Sequence, residues 1–305
     1  MRIATHYAPR SGATTAATID PATLARDLGG KWHRSYGVAP CPVCQATRRK
    51  DQNALTISAK DGKLLLHCKK SGCNFRDILT AAGISPGHVE IDRLAMENAE
   101  RERAEQEAKL RARARSLWDY AEPIHGTKGE AYLRTRGITC DLPDSLRWLA
   151  DTYHGPSAAY HSAMIVSVTP TGGLHRTFFT KKGQRLEQNA KMMLGPCSGG
   201  VVRLSETIGP LVVCEGIETG LSLLSGLLDG PHTVWAALST SGIKGVQLPA
   251  RPGKLVVASD GDQPGREAAN SLASRAAAFG WEVSLLPAPD GQDWNDVLTS
   301  KGAVA

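Results

Sequence analysis

The chain has 305 residues, enough for two or three domains, and 41% of them are hydrophobic, which supports a buried core and excludes wholesale disorder. Its formal charge of +6 is a mild basic excess that matters for acidic partners only where it clusters. No apolar run reaches about 18 residues, and the start MRIATHYAPRSGATTAATID lacks the contiguous apolar core of a secretory signal, so a cytoplasmic protein without a membrane span is expected.

Residues 1–20 are rich in Ala and Thr and are expected to be loose. DPATLARDLGGKW reads as a short helix capped by Asp20, with Pro21 at its first position. In the next stretch, ALTIS and KLLLHC flank Asp61-Gly62, a strong hairpin signal. From about Pro86 to Trp118 the chain reads as a highly charged helix, with no Gly or Pro between Val89 and Glu122. It reads either as a solvated helical linker or as a helix whose Arg-rich end touches nucleic acid. Residues 119–208 are mixed, and AMIVSVTPTGGLHRTFFT within them reads as a hairpin. The last hundred residues alternate PLVVCEG, HTVWAALS, KLVVASD and WEVSLLPA as strands with helices between them. Continuous apolar strands separated by helices imply a parallel sheet covered on both faces.

Of the seven cysteines, Cys41, Cys44, Cys68 and Cys73 form two pairs, whereas Cys140, Cys197 and Cys214 are scattered. Paired clustering in an odd total argues for a metal in a reducing compartment rather than disulfides. Two thiolate pairs at hairpin ends can close a tetrahedral structural Zn²⁺ site; the alternative is four reduced core cysteines. His67 could replace Cys68 as a ligand, although adjacent residues on a strand point to opposite sides.

Sites in parallel sheets form beyond the carboxyl ends of the strands. Glu215-Gly216 ends one strand and Asp260-Gly261-Asp262 another, so three carboxylates converge on one edge, each beside a glycine that would let a ligand approach. Like charges this close are costly unless cations offset them, and oxygen donors suit Mg²⁺ or Mn²⁺. The alternative is a turn and helix cap at Asp260 and Asp262. DGQDWNDVL adds Asp293 and Asp296, which read equally as caps or as further metal contacts.

VVCEGIETGLSLL followed by VVASDGDQPGREAA resembles the Toprim domain of primases, topoisomerases and nucleases. The resemblance implies that Glu215 acts as general acid or base, or as a third metal ligand, while Asp260 and Asp262 hold Mg²⁺. The series EGIETGLSL, VWAALS and DWNDVL is most similar to the small primases of phages and plasmids. The cysteine pairs extend the resemblance, since bacterial-type primases begin with a zinc ribbon, although Cys68-x₄-Cys73 is looser than usual. GEAYLRTRGI and LHRTFFTKKGQRLEQNAKMMLG resemble the basic half of a primase core, in which Arg134, Arg136, Arg176, Lys181, Lys182, Arg185 and Lys191 would neutralise template and nucleotide phosphates.

The expected architecture is a multidomain α/β protein. A zinc ribbon (1–88) and a charged helical linker (89–118) lead into a mixed α+β basic subdomain (119–208), and a Toprim domain with a parallel sheet flanked by helices (209–305) follows. The expected function is a DNA primase using Zn²⁺ and Mg²⁺ or Mn²⁺, with single-stranded DNA and nucleoside triphosphates as partners. No Walker A motif is present, so a replicative helicase would be a separate protein. The rivals are a non-catalytic zinc and Toprim recombination mediator of the RecR type, shorter and without the basic middle, and a Toprim nuclease. The chain is too short for the gate of a type IA topoisomerase.

Overall fold

The computed structural model describes residues 17–45, 53–60, 63–84, 89–91 and 93–302. The Ala/Thr-rich start and the Asp61-Gly62 turn therefore lie outside the described residues. The chain divides into two units, Met1–Glu105 and Gln106–Ala305.

The first unit holds β1 (Ala17–Ile19), α1 (Pro21–Asp27), β2 (Lys31–Trp32), β3 (Tyr36–Ala39), β4 (Leu55–Lys60), β5 (Lys63–Cys68), α2 (Phe75–Ala81) and β6 (Val89–Ile91). Asp20 caps α1 as its sequence predicts, accepting from the backbone N–H groups of Ala22 and Thr23, with Pro21 in the first turn. Strands β2 to β5 form an antiparallel meander in which β4 and β5 pair up to Lys60 and Lys63, the register a tight hairpin demands. Leu24, Ile57, Ile78 and Leu79 fill a small core together with Cys41 and Cys68. Val89–Ile91, which the sequence suggests as the beginning of the charged helix, instead forms a strand parallel to β1. Two β-branched residues around Glu90 favour extended backbone, and three residues are too few for periodicity to reveal.

Helix α3 (Arg93–Tyr120) carries the chain into the second unit. There follow β7 (Glu122–Pro123), α4 (Lys128–Thr135), β8 (Leu146–His154), β9 (Ala159–Val168), β10 (Gly173–Phe179) and β11 (Lys191–Leu194). These strands make one antiparallel sheet in the order β11-β10-β9-β8-β7, so the expected hairpin is β9 and β10. Although GLHRTFF contains His, Arg and Thr, every residue of β10 is buried. One face of the sheet packs on α3 through Ala114, Leu117 and Trp118, so the last turns of the charged helix belong to a core and are not a solvated spacer.

The chain then forms β12 (Val202–Ser205), β13 (Leu211–Cys214), α5 (Ile217–Leu224), β14 (Thr233–Ala236), α6 (Thr240–Gly245), β15 (Lys254–Ser259), α7 (Gln263–Ala278), β16 (Glu282–Pro287) and α8 (Trp294–Gly302). The sheet order is β12-β14-β13-β15-β16. All neighbours are parallel except β12, an antiparallel edge strand that the run of apolar strands in the sequence does not announce. Trp148, Met164, Val166 and Phe179 of the antiparallel sheet share one core with Val212, Cys214, Ile217 and Leu221 of the parallel one. That shared core sets the antiparallel sheet's basic strands against the parallel sheet's acidic edge.

Candidate active site and cysteine cluster

Strands β13 and β15 are neighbours with Cys214 opposite Ala258. The chain therefore leaves both strands side by side, delivering Glu215 from one and Asp260 from the other. Burial raises the Glu215 carboxyl above its ordinary range, and the charges of Asp260 and Asp262 raise it further. Asp260 is pushed up to about 6 by burial, then by Asp293 and Asp262. Its Oδ1 is enclosed without a hydrogen-bond partner among the described residues. An enclosed, unpaired carboxylate oxygen among other carboxylates is what a divalent cation with oxygen preference would satisfy.

Two of the acids also act as helix caps. Asp262 Oδ1 accepts from the Gly265 N–H at 2.7 Å and begins α7. Asp293 Oδ1 accepts from the N–H groups of Asn295 and Asp296, both at 2.8 Å, and begins α8. Capping and membership of the acidic cluster coexist, because a cap occupies one carboxylate oxygen while the charge still acts on Asp260. Gly261 has a different reason from the one its position suggests. A Cβ there would lie 1.8 Å from the Pro289 carbonyl oxygen, so the residue makes room for the loop before α8 rather than for a ligand.

Lys191 is the cation of this cluster, lowering the pKa of both Glu215 and Asp260. Register explains its place: Lys191 pairs with Thr177 and Met193 with His175, so these four share one face of the sheet. The same pairing puts Arg176, opposite Met192, on the other face, where it is 7% exposed. Arg136 and Arg185 flank Glu218 at 3.6 and 3.5 Å. Arg134 is engaged within its own segment, donating to the Ile138 and Cys140 carbonyls and pairing with Glu130. Lys181 and Lys182 are exposed in the turn after β10. The structure thus gathers Lys191 to the carboxylates, sets Arg136 and Arg185 one helical turn along, and sends Arg176 elsewhere.

Three residues of this region escape sequence reasoning. Glu218 lies one turn past Glu215 on α5 and is the carboxylate that Arg136 and Arg185 share. The spacing Glu215-x-x-Glu218 was its available signal. Buried Asn295 donates to the Arg136 carbonyl and to Ser222 Oγ, both at 2.8 Å, and so ties α8 to α4 and α5. His175 is buried beside Lys191 with Nδ1 unpaired among the described residues, and burial lowers it to about 4, so the ring is neutral at pH 7.

In the first unit the sulfurs of Cys41, Cys44, Cys68 and Cys73 all lie within 4.8 Å of one another. A tetrahedral zinc at its usual bond length separates its sulfurs by about 3.8 Å, so the donor set and spacing fit. N–H groups from Ser71, Cys73 and Lys70 bring Cys68 down to about 6 against the effect of its burial, toward the thiolate a metal needs. Cys68 lies in the cluster, whereas His67, next to it on β5, is exposed. Gln45 supports the cluster: its Oε1 accepts from the N–H groups of Cys41 and Ala54, both at 2.9 Å.

Residues 210–304 match the Toprim domain family Toprim_3, and residues 108–204 match DUF7146, a domain of unknown function. No curated protein matches the sequence. Among solved structures, the chain is similar to the Aquifex aeolicus primase zinc-binding and RNA polymerase domains at 14% identity, covering 92% of this chain and 82% of that one with a TM-score of 0.43. A DNA primase domain from Pseudomonas aeruginosa gives 15% identity, coverage of 63% and 75%, and a TM-score of 0.38. The RNA polymerase domain of Mycobacterium tuberculosis primase DnaG gives 12%, coverage of 65% and 81%, and 0.37. Residues 210–304, with the acidic edge built on β13 and β15, are a Toprim domain, and the chain ahead of it carries a four-cysteine cluster that fits a zinc ribbon.

Proposed function

We propose that the protein is a DNA-directed primase that joins nucleotides on a single-stranded DNA template. The observation that supports this most is the edge itself: three carboxylates at the ends of adjacent parallel strands, opposed by Lys191, within a Toprim domain. Asp260 and Asp262, with Glu215 beside them, are the residues that would hold Mg²⁺ or Mn²⁺. Bound there, the cation supplies neutralisation of phosphate charge. The 3′-hydroxyl of the growing strand attacks the α-phosphate of a nucleoside triphosphate; a phosphodiester forms and pyrophosphate leaves. Glu215, whose pKa is raised, would take the hydroxyl proton. Lys191 meets phosphate charge across the edge, and Arg136 and Arg185, held by Glu218, orient the triphosphate. Lys181 and Lys182 face solvent and suit the template backbone. The cysteine cluster binds one structural Zn²⁺, and template unwinding falls to a separate helicase.

The test is synthesis itself: labelled nucleotides of both sugar types, single-stranded templates of varied sequence and Mg²⁺ or Mn²⁺, with products sized on a gel. Wild-type protein should make short oligonucleotides, and Asp260→Ala and Asp262→Ala should make none. Absence of product from wild type rejects the primase reading, and shortening of labelled DNA instead identifies a nuclease. Product that survives both substitutions rejects the site and keeps the function.

A further inference from the structure

Arg176 is the anomaly of the antiparallel sheet. It lies on the face of β10 that packs on α3, and its Nε is sealed from solvent without a partner. Among the described residues its guanidinium has no hydrogen bond and no carboxylate; it lies over the Phe178 ring at 5.2 Å. An arginine stays charged in a protein, and a buried charge left unpaired is costly. Arg113 on α3 carries the same sign and acts against the charge, whereas Cys197 acts in its favour. The two acids of α3 nearest Arg113 in sequence do not relieve it, since Glu107 is taken by Arg111 and Asp119 by Arg115, each at 2.8 Å. Arg113, between those two pairs, has no acid partner among the described residues. Arg176, on the α3 face of β10, and Arg113, next along α3 to the packed Ala114, have no acid partner among the described residues and concentrate positive charge there, and the fork of an arginine matches the oxygens of a phosphate.

We propose that Arg176 and Arg113 form a phosphate-binding site on the sheet face turned away from the carboxylates, occupied by a backbone phosphate of single-stranded DNA. The phosphate stands on these two residues alone. Its assignment to a DNA strand rests on the nucleic-acid reading above. The site gives the strand a second point of attachment outside the reaction centre, and it accounts for the buried, unpartnered Arg176 Nε.

Thermal unfolding of the intact, zinc-loaded chain without added Mg²⁺ or chelator tests it, with inorganic phosphate and oligothymidylate as probes. Phosphate at a hundred times its dissociation constant should raise the wild-type Tm by about 5–10 °C. Arg176→Met keeps the stem and removes the charge, so its Tm should start above wild type and show no phosphate response. Lys191→Ala, on the other face, should keep that response. Oligothymidylate affinity should fall about tenfold in Arg176→Met and in Arg113→Gln, whose side chain is exposed and whose fold is therefore safe. An unchanged phosphate response in both variants overturns the site. A lost phosphate response with unchanged oligothymidylate affinity overturns the strand and leaves a free phosphate as the ligand. A wild type that responds to phosphate yet makes no primers sinks the proposed function and leaves this site standing.

Discussion

Asp260 sits where a carboxylate is hard to ionise: half-enclosed, with Asp262 and Asp293 acting on it and one oxygen unpartnered. Its pKa is raised to about 6, so relative to the unfolded chain the folded protein favours the protonated form. Its contribution to stability is therefore full below the unfolded carboxylate value and is lost as pH rises through about 6. Metal-free protein should lose on the order of 2 kcal/mol between pH 4 and pH 7 from this group. Asp260→Asn should flatten that slope and raise the Tm in EDTA at pH 7. Mg²⁺ should raise the wild-type Tm at pH 7 and have little effect on Asp260→Asn. A wild-type Tm in EDTA that does not fall over that range would contradict the packing of charge described here. Asp293 separates two roles that the sequence leaves open. Asp293→Asn keeps a capping oxygen but removes the charge, so α8 should persist and the Asp260 pKa should drop, measurable by carboxylate titration in NMR spectra. Asp293→Ala loses the cap as well, at a cost of about 1 kcal/mol.

At the scale of elements, the first unit depends on its cysteines more than on its hydrophobic interior. Its core is short, and Cys41 and Cys68 are themselves part of it. Small domains commonly need a metal to offset chain entropy. Purified protein should contain one zinc per chain, and Cys41→Ser should lose it. In a thermal scan that variant should lose the transition of residues 1–105 and retain that of residues 106–305, whose cores are separate. A zinc-free wild type, prepared without chelator, with the first unit folded would contradict this. The hairpin β4–β5 and the helices α1 and α2 carry the cluster on local signals: caps at Asp20 and Asn74, and alternating burial along β4.

For the whole molecule, a charge of +6 is too small to drive nucleic-acid binding unless it is organised. The antiparallel sheet organises it, placing Lys191 on the face toward the carboxylates, Arg176 on the α3 face, and Lys181 and Lys182 at the turn. Single-stranded DNA should bind more tightly than duplex, and log affinity should fall linearly with log salt, by about 0.7 per phosphate neutralised. Lys181→Ala with Lys182→Ala should reduce that slope by about one to two phosphate equivalents without changing zinc content. A flat dependence on salt would exclude a backbone-binding role for these residues.

What the sequence determines by itself is local or repetitive. The alternation of apolar strands and helices after Pro210, the strand-end positions of Glu215 and Asp260, the paired cysteines and the caps all lie within a few residues of their causes. Only tertiary structure decides which distant residues share a face. Arg176 and Lys191 look alike in a list of cations, and a strand register sends them to opposite sides of one sheet. Glu218 and Asn295 act through partners far away in sequence, Arg136 and Arg185 for one, Ser222 and the Arg136 carbonyl for the other. Strand β12 takes its antiparallel place at the sheet edge by pairing with β14, and Gly261 is glycine because the Pro289 carbonyl arrives there. Periodicity records the contacts a chain makes with its neighbours along the strand or helix; burial, pairing and charge compensation between remote segments exist only once the sheets close on a shared core.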